Sequence, residues 1–241
     1  MKRQSGFTLV EIAIVLVIIG LLLGGILKGQ ELINSARVRN LADTATGIQA
    51  AYYGFIDRYR RVPGDWNETG ASQAIGTTIP VGGNDNGQID NGTAGSVDYE
   101  EPNAMWVQMA AAGFIQGSYT AGNGTVAADA APTNANGVTP LNAFNNVMLL
   151  GRTNDFLNAP SARLHLVMGR GIPVDVMREL DLKLDDGQPG TGDLRATPET
   201  PTWFTDGAIG GQDATCVDTT VTPNIWNVRL DAQSCNAVYM F

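Results

Sequence analysis

Oxygen donors gather twice in this 241-residue chain. The stretch from Gly82 to Asn91 reads Gly-Gly-Asn-Asp-Asn-Gly-Gln-Ile-Asp-Asn. Asn84, Asn86 and Asp90 fall at alternating positions from which a calcium loop takes ligands, Gly87 supplies the turn, Gln88 offers its carbonyl and Ile89 anchors the loop. Gly82 stands where the first acidic ligand belongs and Thr93 where the bidentate carboxylate belongs, so Glu100, Glu101 or Asp65 has to complete the set. An Asx-rich turn without an ion accounts for the same residues through side-chain to backbone bonds. The second gathering is Asp185-Asp186-Gly187 at the end of a helical stretch. The helix dipole disfavours anions there, and either a cation or plain solvation relieves them.

Nucleophile and base chemistry lacks its parts. The chain has no Gly-x-Ser-x-Gly elbow, no His-Glu-x-x-His and no phosphate loop, and His165 is its one histidine. The alternation around it, Arg163-Leu-His-Leu-Val-Met168, puts His165 on the outer face of a sheet rather than at a catalytic centre. No enzymatic activity is expected. The two cysteines, Cys216 and Cys235, are set up for a disulfide if the C-terminal part lies outside the cytoplasm; a metal pair and free thiols are the alternatives. A closed loop of that size is worth about 3 kcal/mol in the chain-entropy model. Sequons at Asn67, Asn91 and Asn123 are short patterns that chance produces in an Asn-rich chain.

The compartment is set by the N-terminus. Lys2 and Arg3 precede a small residue, Gly6, and then an apolar run to Leu27 in which Glu11 is the one charged side chain. As a helix this run is about 30 Å long, one bilayer core. A secretory signal would place small residues after the apolar core, and no Ala-x-Ala-like site follows Leu27. A cut at Gly6 lies before the core and leaves the whole helix on the mature chain. The positive-inside rule keeps Lys2 and Arg3 in the cytoplasm and sends the remainder across. A carboxylate in such a run costs about 2.5–3.5 kcal/mol on insertion scales, so Glu11 requires a compensating partner.

Gly6-Phe7-Thr8-Leu9-Val10-Glu11 with its apolar tail resembles the class III signal of type IV pilins and type II secretion pseudopilins. The resemblance covers about the first 30 residues. It implies cleavage after Gly6 by a prepilin peptidase, N-methylation of the new first residue, Phe7, and pairing of Glu11 with the N-terminal amine of a neighbouring subunit. It further implies a pilin-like α+β fold, in which a long N-terminal helix, membrane-spanning in its first half, packs against a small antiparallel sheet. Pilins of this kind often carry a proline within the helix, and this chain has none there. Gly20, Gly24, Gly25 and Gly29 serve close helix packing or local unwinding.

The rest of the chain fits that plan. Val38, Leu41, Ala45, Ile48, Tyr52, Phe55 and Tyr59 recur in steps of three and four, extending the helix to Tyr59, where Pro63-Gly64 stops it. The expected organisation is a leader over 1–6, an assembly helix over 7–60 and one head over 61–241. Asp65 to Glu101 reads as a long loop, Pro102 to Ile115 as a helix, and Gly117 to Pro140 as irregular. Strands are expected at Val147 to Leu150, Arg163 to Met168, Thr202 to Phe204, Trp226 to Leu230 and Ala237 to Phe241, with a helix from Ile172 to Leu184.

A net charge of −9, more acidic still once Lys2 and Arg3 are lost, excludes a broad nucleic-acid surface. The expected function is a filament subunit whose partners are copies of itself, other pilins, the prepilin peptidase and an inner-membrane assembly platform. It starts as a single-pass inner-membrane protein with a periplasmic head and ends in a periplasmic pseudopilus or a surface pilus. No cofactor is required, and calcium is the one candidate ion. The rival is a monomeric membrane-anchored periplasmic binding protein or enzyme that uses the helix as a tether and has no need of Glu11.

Overall fold

The computed structural model describes residues 9–90, 98–120, 128–204 and 209–241. Gly6, Phe7, Thr93 and the sequons at Asn91 and Asn123 lie outside them. The chain forms two compact units, Met1–Arg37 and Val38–Phe241. One helix, α1 (Leu9–Tyr59), contributes to both and stays α-helical through Gly20, Gly24, Gly25 and Gly29. In the first unit its apolar side chains from Leu9 to Leu27 are exposed.

In the second unit the stripe of threes and fours is buried: Val38, Leu41, Ala45, Ile48, Tyr52 and Phe55 enter the core. Past Tyr59 the chain turns through Arg60, at φ 56°, and Gly64, at φ 93°. A side chain at Gly64 would meet the Glu101 carbonyl oxygen at 2.5 Å, so this stop needs glycine for both conformation and space.

The long loop expected after Asp65 contains a short helix, α2 (Glu68–Ile75). Asn67 caps it by accepting the Gly70 N–H at 2.8 Å, and Gly76 ends it in the left-handed region. These two punctuation residues were legible, but Ala71 is the one buried side chain of α2, too little for a periodic signal. The next helix, α3 (Glu100–Ala111), starts two residues before Pro102, with Glu100 and Glu101 in the first turn where the dipole favours them. Met105, Trp106 and Met109 point inward, as their spacing requires.

The main sheet has the order β1-β2-β6-β3 and is antiparallel throughout, with β1 (Leu149–Thr153), β2 (Arg163–Val167), β3 (Leu194–Ala196) and β6 (Ala237–Met240). Helix α4 (Val174–Leu184) precedes β3, and a separate hairpin pairs β4 (Val217–Asp218) with β5 (Ile225–Trp226). This is the α+β, pilin-like arrangement: a long N-terminal helix packed against a small antiparallel sheet. Three strand expectations are corrected. Thr202 to Phe204 is not a strand, the Trp226 segment pairs only over β5, and the strand expected at Val147 to Leu150 runs instead over Leu149–Thr153; β3 and β4, too short to carry an alternating pattern, were not expected.

Both faces of the sheet are covered. Leu150, Leu166, Leu194 and Ala237 join the core that holds the α1 stripe, while Leu149, Val167, Val238 and Met240 lie under Tyr99, Phe156, Trp203, Phe204 and Ile209. His165 does face away from the α1 side, but it is wholly buried rather than outward to water. The unbroken apolar run of β6, Ala-Val-Tyr-Met, was the sequence sign of a strand covered on both sides.

Candidate functional sites: the exposed apolar helix and the acidic loops

Glu11 stands in the first turn of α1 with Val10, Ile12, Ile14 and Val15 exposed around it. Water does not tolerate so long an exposed apolar surface, which requires a bilayer or other apolar helices. The helix is long and apolar enough to cross a membrane and lies near the N-terminus.

The loop from Gly82 to Asp90 is gripped by two buried carboxylates. Asp65 accepts the N–H groups of Asn86 at 2.8 Å and Gly87 at 2.9 Å. Glu101 accepts those of Asn84 at 3.2 Å and Asp90 at 2.6 Å. Burial, and after it the neighbouring Asp90 and Asp65 charges, push the Glu101 carboxyl up to about 7 against the pull of its two backbone N–H bonds.

Of the expected calcium ligands, the structure brings Asn84, Asn86 and Asp90 together: both amides donate to Asp90 Oδ2, at 2.9 and 2.6 Å. Their own oxygens accept backbone N–H groups two residues on, at Asn86 and Gln88. The Gln88 side chain turns away to accept from Arg152 at 2.5 Å. Glu100 sits among Asp98, Asp129 and Glu68 instead, and its carboxyl is raised by burial and by those charges. Of the three carboxylates expected to complete the set, Glu101 and Asp65 reach the loop and Glu100 does not.

The second acidic turn closes on α4. Oxygens of Asp181, Asp185 and Asp186 lie within 4.8 Å of one another. Asp181, wholly buried, accepts the Trp226 indole N–H at 2.6 Å and so ties α4 to β5. Burial first, then the Asp186 and Asp185 charges, raise it to about 6. Sequence reasoning stopped at Asp185 and Asp186 and missed Asp181. The sign was there: Asp181 lies seven residues after Val174 and one after Leu180, a carboxylate on the apolar face of its helix.

Cys216 and Cys235 are joined in a disulfide, with their Cα atoms 5.6 Å apart. The bond closes the β4–β5 hairpin onto the start of β6. His165 has Nδ1 at 3.1 Å from the Arg163 carbonyl oxygen, and its buried Nε2 has no hydrogen-bond partner among the described residues. Asp155, also missed from sequence, accepts the N–H groups of Thr202 at 2.9 Å and Trp203 at 2.7 Å, fixing the layer above His165.

No curated protein and no solved structure matches the chain. Residues 1–27 match the family model of the prokaryotic N-terminal methylation motif. Joined to a long, exposed apolar helix, that motif fits the class III signal of prepilins and pseudopilins and supports a type IV pilin-like prepilin, a structural rather than catalytic family, anchored in the membrane by its N-terminal helix.

Proposed function

We propose that the chain is the precursor of a filament subunit. A prepilin peptidase cuts after Gly6 and methylates Phe7. The helix from Phe7 then leaves the inner membrane to pack with copies of itself and with other pilins in a type IV pilus or pseudopilus, driven by an assembly platform, while the acidic head faces the periplasm or the outside. The observation that carries this reading is the methylation motif joined to an exposed apolar run with a carboxylate, Glu11, in its first turn. A tether alone gains nothing from a charge that costs about 2.5–3.5 kcal/mol in a bilayer, whereas a subunit pairing Glu11 with its neighbour's Phe7 amine does.

Mass spectrometry of the mature protein tests the first step, the expected N-terminus being methylated Phe7. Glu11→Ala is expected to be cleaved and to reach the membrane yet assemble poorly. An N-terminus beyond Leu27, or unimpaired assembly of Glu11→Ala, overturns the proposal and leaves a membrane-tethered monomer.

The Gly82 to Asp90 loop is proposed to take calcium through Asn84, Asn86, the Gln88 carbonyl and Asp90, with Glu101 rather than Glu100 as the completing carboxylate among those the sequence offered. The convergence of Asn84 and Asn86 on Asp90 supports this, since it gathers three oxygen-bearing side chains at one point; an ion would take the place of the amide N–H groups on Asp90, and each amide would exchange its bond to the Asn86 or Gln88 N–H for the metal. At millimolar calcium such a site adds about 1 kcal/mol to stability. An unchanged melting midpoint with calcium and with chelator rejects it.

A further inference from the structure

We infer that the head carries a binding site for a neutral polyhydroxylated ligand, a sugar unit of a glycan, in the uncharged cleft between the acidic turn after α4 and the tip of the β4–β5 hairpin, whose lining mixes apolar surface with a few amides and hydroxyls. The inference rests on the head alone and stands independently of filament assembly.

The cleft has a volume of about 290 Å³ and is lined by Asn158, Gln188, Thr191, Thr222, Pro223 and Asn224, with Gly190 between them. This is the small end of the usual range for ligand sites, about 300–1,000 Å³, and suits one saccharide unit rather than a long chain. Its lining holds no charged side chain, so an anion finds no cation and a metal ion no carboxylate. A purely apolar ligand would strip water from three amides and two hydroxyls without replacing its hydrogen bonds. Sugar hydroxyls, each both donor and acceptor, match that set, and the Pro223 ring offers an apolar surface to the C–H face of a pyranose.

Three of these five polar side chains are unspent, and the other two keep part of their capacity. Elsewhere in the head, the side-chain N–H groups of Asn103, Asn142 and Asn236 are spent on backbone carbonyls. In the cleft, Asn158 gives one N–H to the Gly190 carbonyl at 3.0 Å. The side chains of Gln188, Thr222 and Asn224 make no hydrogen bond among the described residues. A Cβ at Gly190 would lie 2.7 Å from Asn158 Nδ2 and 3.6 Å from Asn224 Nδ2, which shows how closely the two amides converge.

The walls are held before any ligand arrives. Arg195 donates to the carbonyls of Asn158 at 3.2 Å and Gly192 at 2.9 Å, tying two turns together. Thr191 donates its hydroxyl to Asp186 at 2.5 Å. The opposite wall is braced by the disulfide and by the Trp226 to Asp181 bond. A preformed cleft lowers the ordering cost of binding. Asp185 and Asp186 stand close in sequence to Gln188 and disfavour an acidic sugar.

The test is saturation-transfer NMR on the full chain in a phosphocholine detergent, which carries no sugar headgroup. The probes are methyl β-galactopyranoside and N-acetylglucosamine, with N-acetylneuraminate as the acidic control. The expected result is a saturable, millimolar signal for a neutral sugar and none for the acid. Asn224→Ala and Gln188→Ala, on opposite walls, should each weaken it about fivefold, the worth of one hydrogen bond, while Gln116→Ala, outside the lining, binds as wild type. Tryptophan fluorescence verifies the fold of each variant, and if one misfolds the other decides. Absence of a saturable signal for both neutral sugars, unchanged binding in the folded wall variants, or equal binding of the acid overturns the proposal.

Discussion

Replacing His165 by Leu should stabilise the head relative to wild type in acid and not at neutrality. His165 is wholly buried, packed edge-on to Phe156 at 5.7 Å between ring centres, with Nε2 lacking a partner. Its charged form has little to hold it. Burial lowers its pKa from 6.5 to about 4, against the small opposing pull of the Arg163 carbonyl and Asp155. The folded value lies below the unfolded one, so in this window the unfolded chain binds the extra proton. Stability is therefore complete above 6.5 and is lost as pH falls toward 4.

Integrating that linkage, His165 costs the wild type about 2 kcal/mol between about pH 7 and about pH 5, and about 3 kcal/mol by pH 4. The leucine variant loses the Nδ1 bond, a constant offset, but not this slope. Urea titrations of the Val38–Phe241 unit followed by tryptophan fluorescence give both curves. Taking variant minus wild type at each pH removes the contributions of Glu101 and Asp181, which titrate in the same range with opposite sign. A difference that stays constant within about 0.5 kcal/mol from pH 7 to 5 refutes the buried, unpartnered imidazole. As the single histidine of the chain, it also gives one unambiguous ring resonance, expected not to titrate above pH 5.

Gly151 has the Trp203 ring lying directly on it, so Gly151→Ala should cost about 1–3 kcal/mol in the same titrations, and a loss below about 0.5 kcal/mol would show that the ring does not sit there. Mass mapping without reductant should find Cys216 linked to Cys235, and replacing both by Ser should lower stability by about 3 kcal/mol; two free thiols in protein from the cell envelope refute the pairing. Glu101→Gln turns an amide N–H toward a backbone N–H at Asn84 or Asp90, with an expected loss of about 1–3 kcal/mol at neutral pH and a flatter pH profile between 4.5 and about 7; an unchanged profile rejects Glu101 as the titrating group.

How legible each part was follows from where its specifying interactions lie. The α1 stripe, α3, α4 and β2 are encoded by neighbours three or four apart, or two apart, and their spacing reveals them, while β6 shows as an unbroken apolar run. The cysteine pair was expected on the condition that the C-terminal part lies outside the cytoplasm, with a metal pair and free thiols left open until the geometry joined Cys216 to Cys235. The cover over the back of the sheet was not legible, because it depends on Trp203 and Phe204 meeting Leu149 and Val167, residues far apart in sequence and in no periodic pattern. His165 went to the wrong environment for that reason: alternation gives the face of a strand, and only a tertiary layer decides whether that face is wet. Strands as short as β4 and β5 carry no period at all.

The loops show how a Gly- and Asn-rich head stays folded without much local packing. Among the described residues four carboxylates are buried, Asp65, Glu101, Asp155 and Asp181, and each accepts backbone N–H groups from a loop: 86 and 87, 84 and 90, 202 and 203, and 187. Charged acceptors hold amides roughly twice as strongly as neutral ones, so one side chain can replace a strand partner. The arrangement has a cost that shows in pH. Glu101 and Asp181 have folded values raised to about 7 and about 6, with burial as the leading cause. Their contribution is complete below the unfolded values of 4.5 and 3.8 and is lost as pH rises through 7 and 6. His165 acts in the opposite direction between pH 6.5 and about 4, so it offsets about half of the stability that these two carboxyls gain over the same fall in pH.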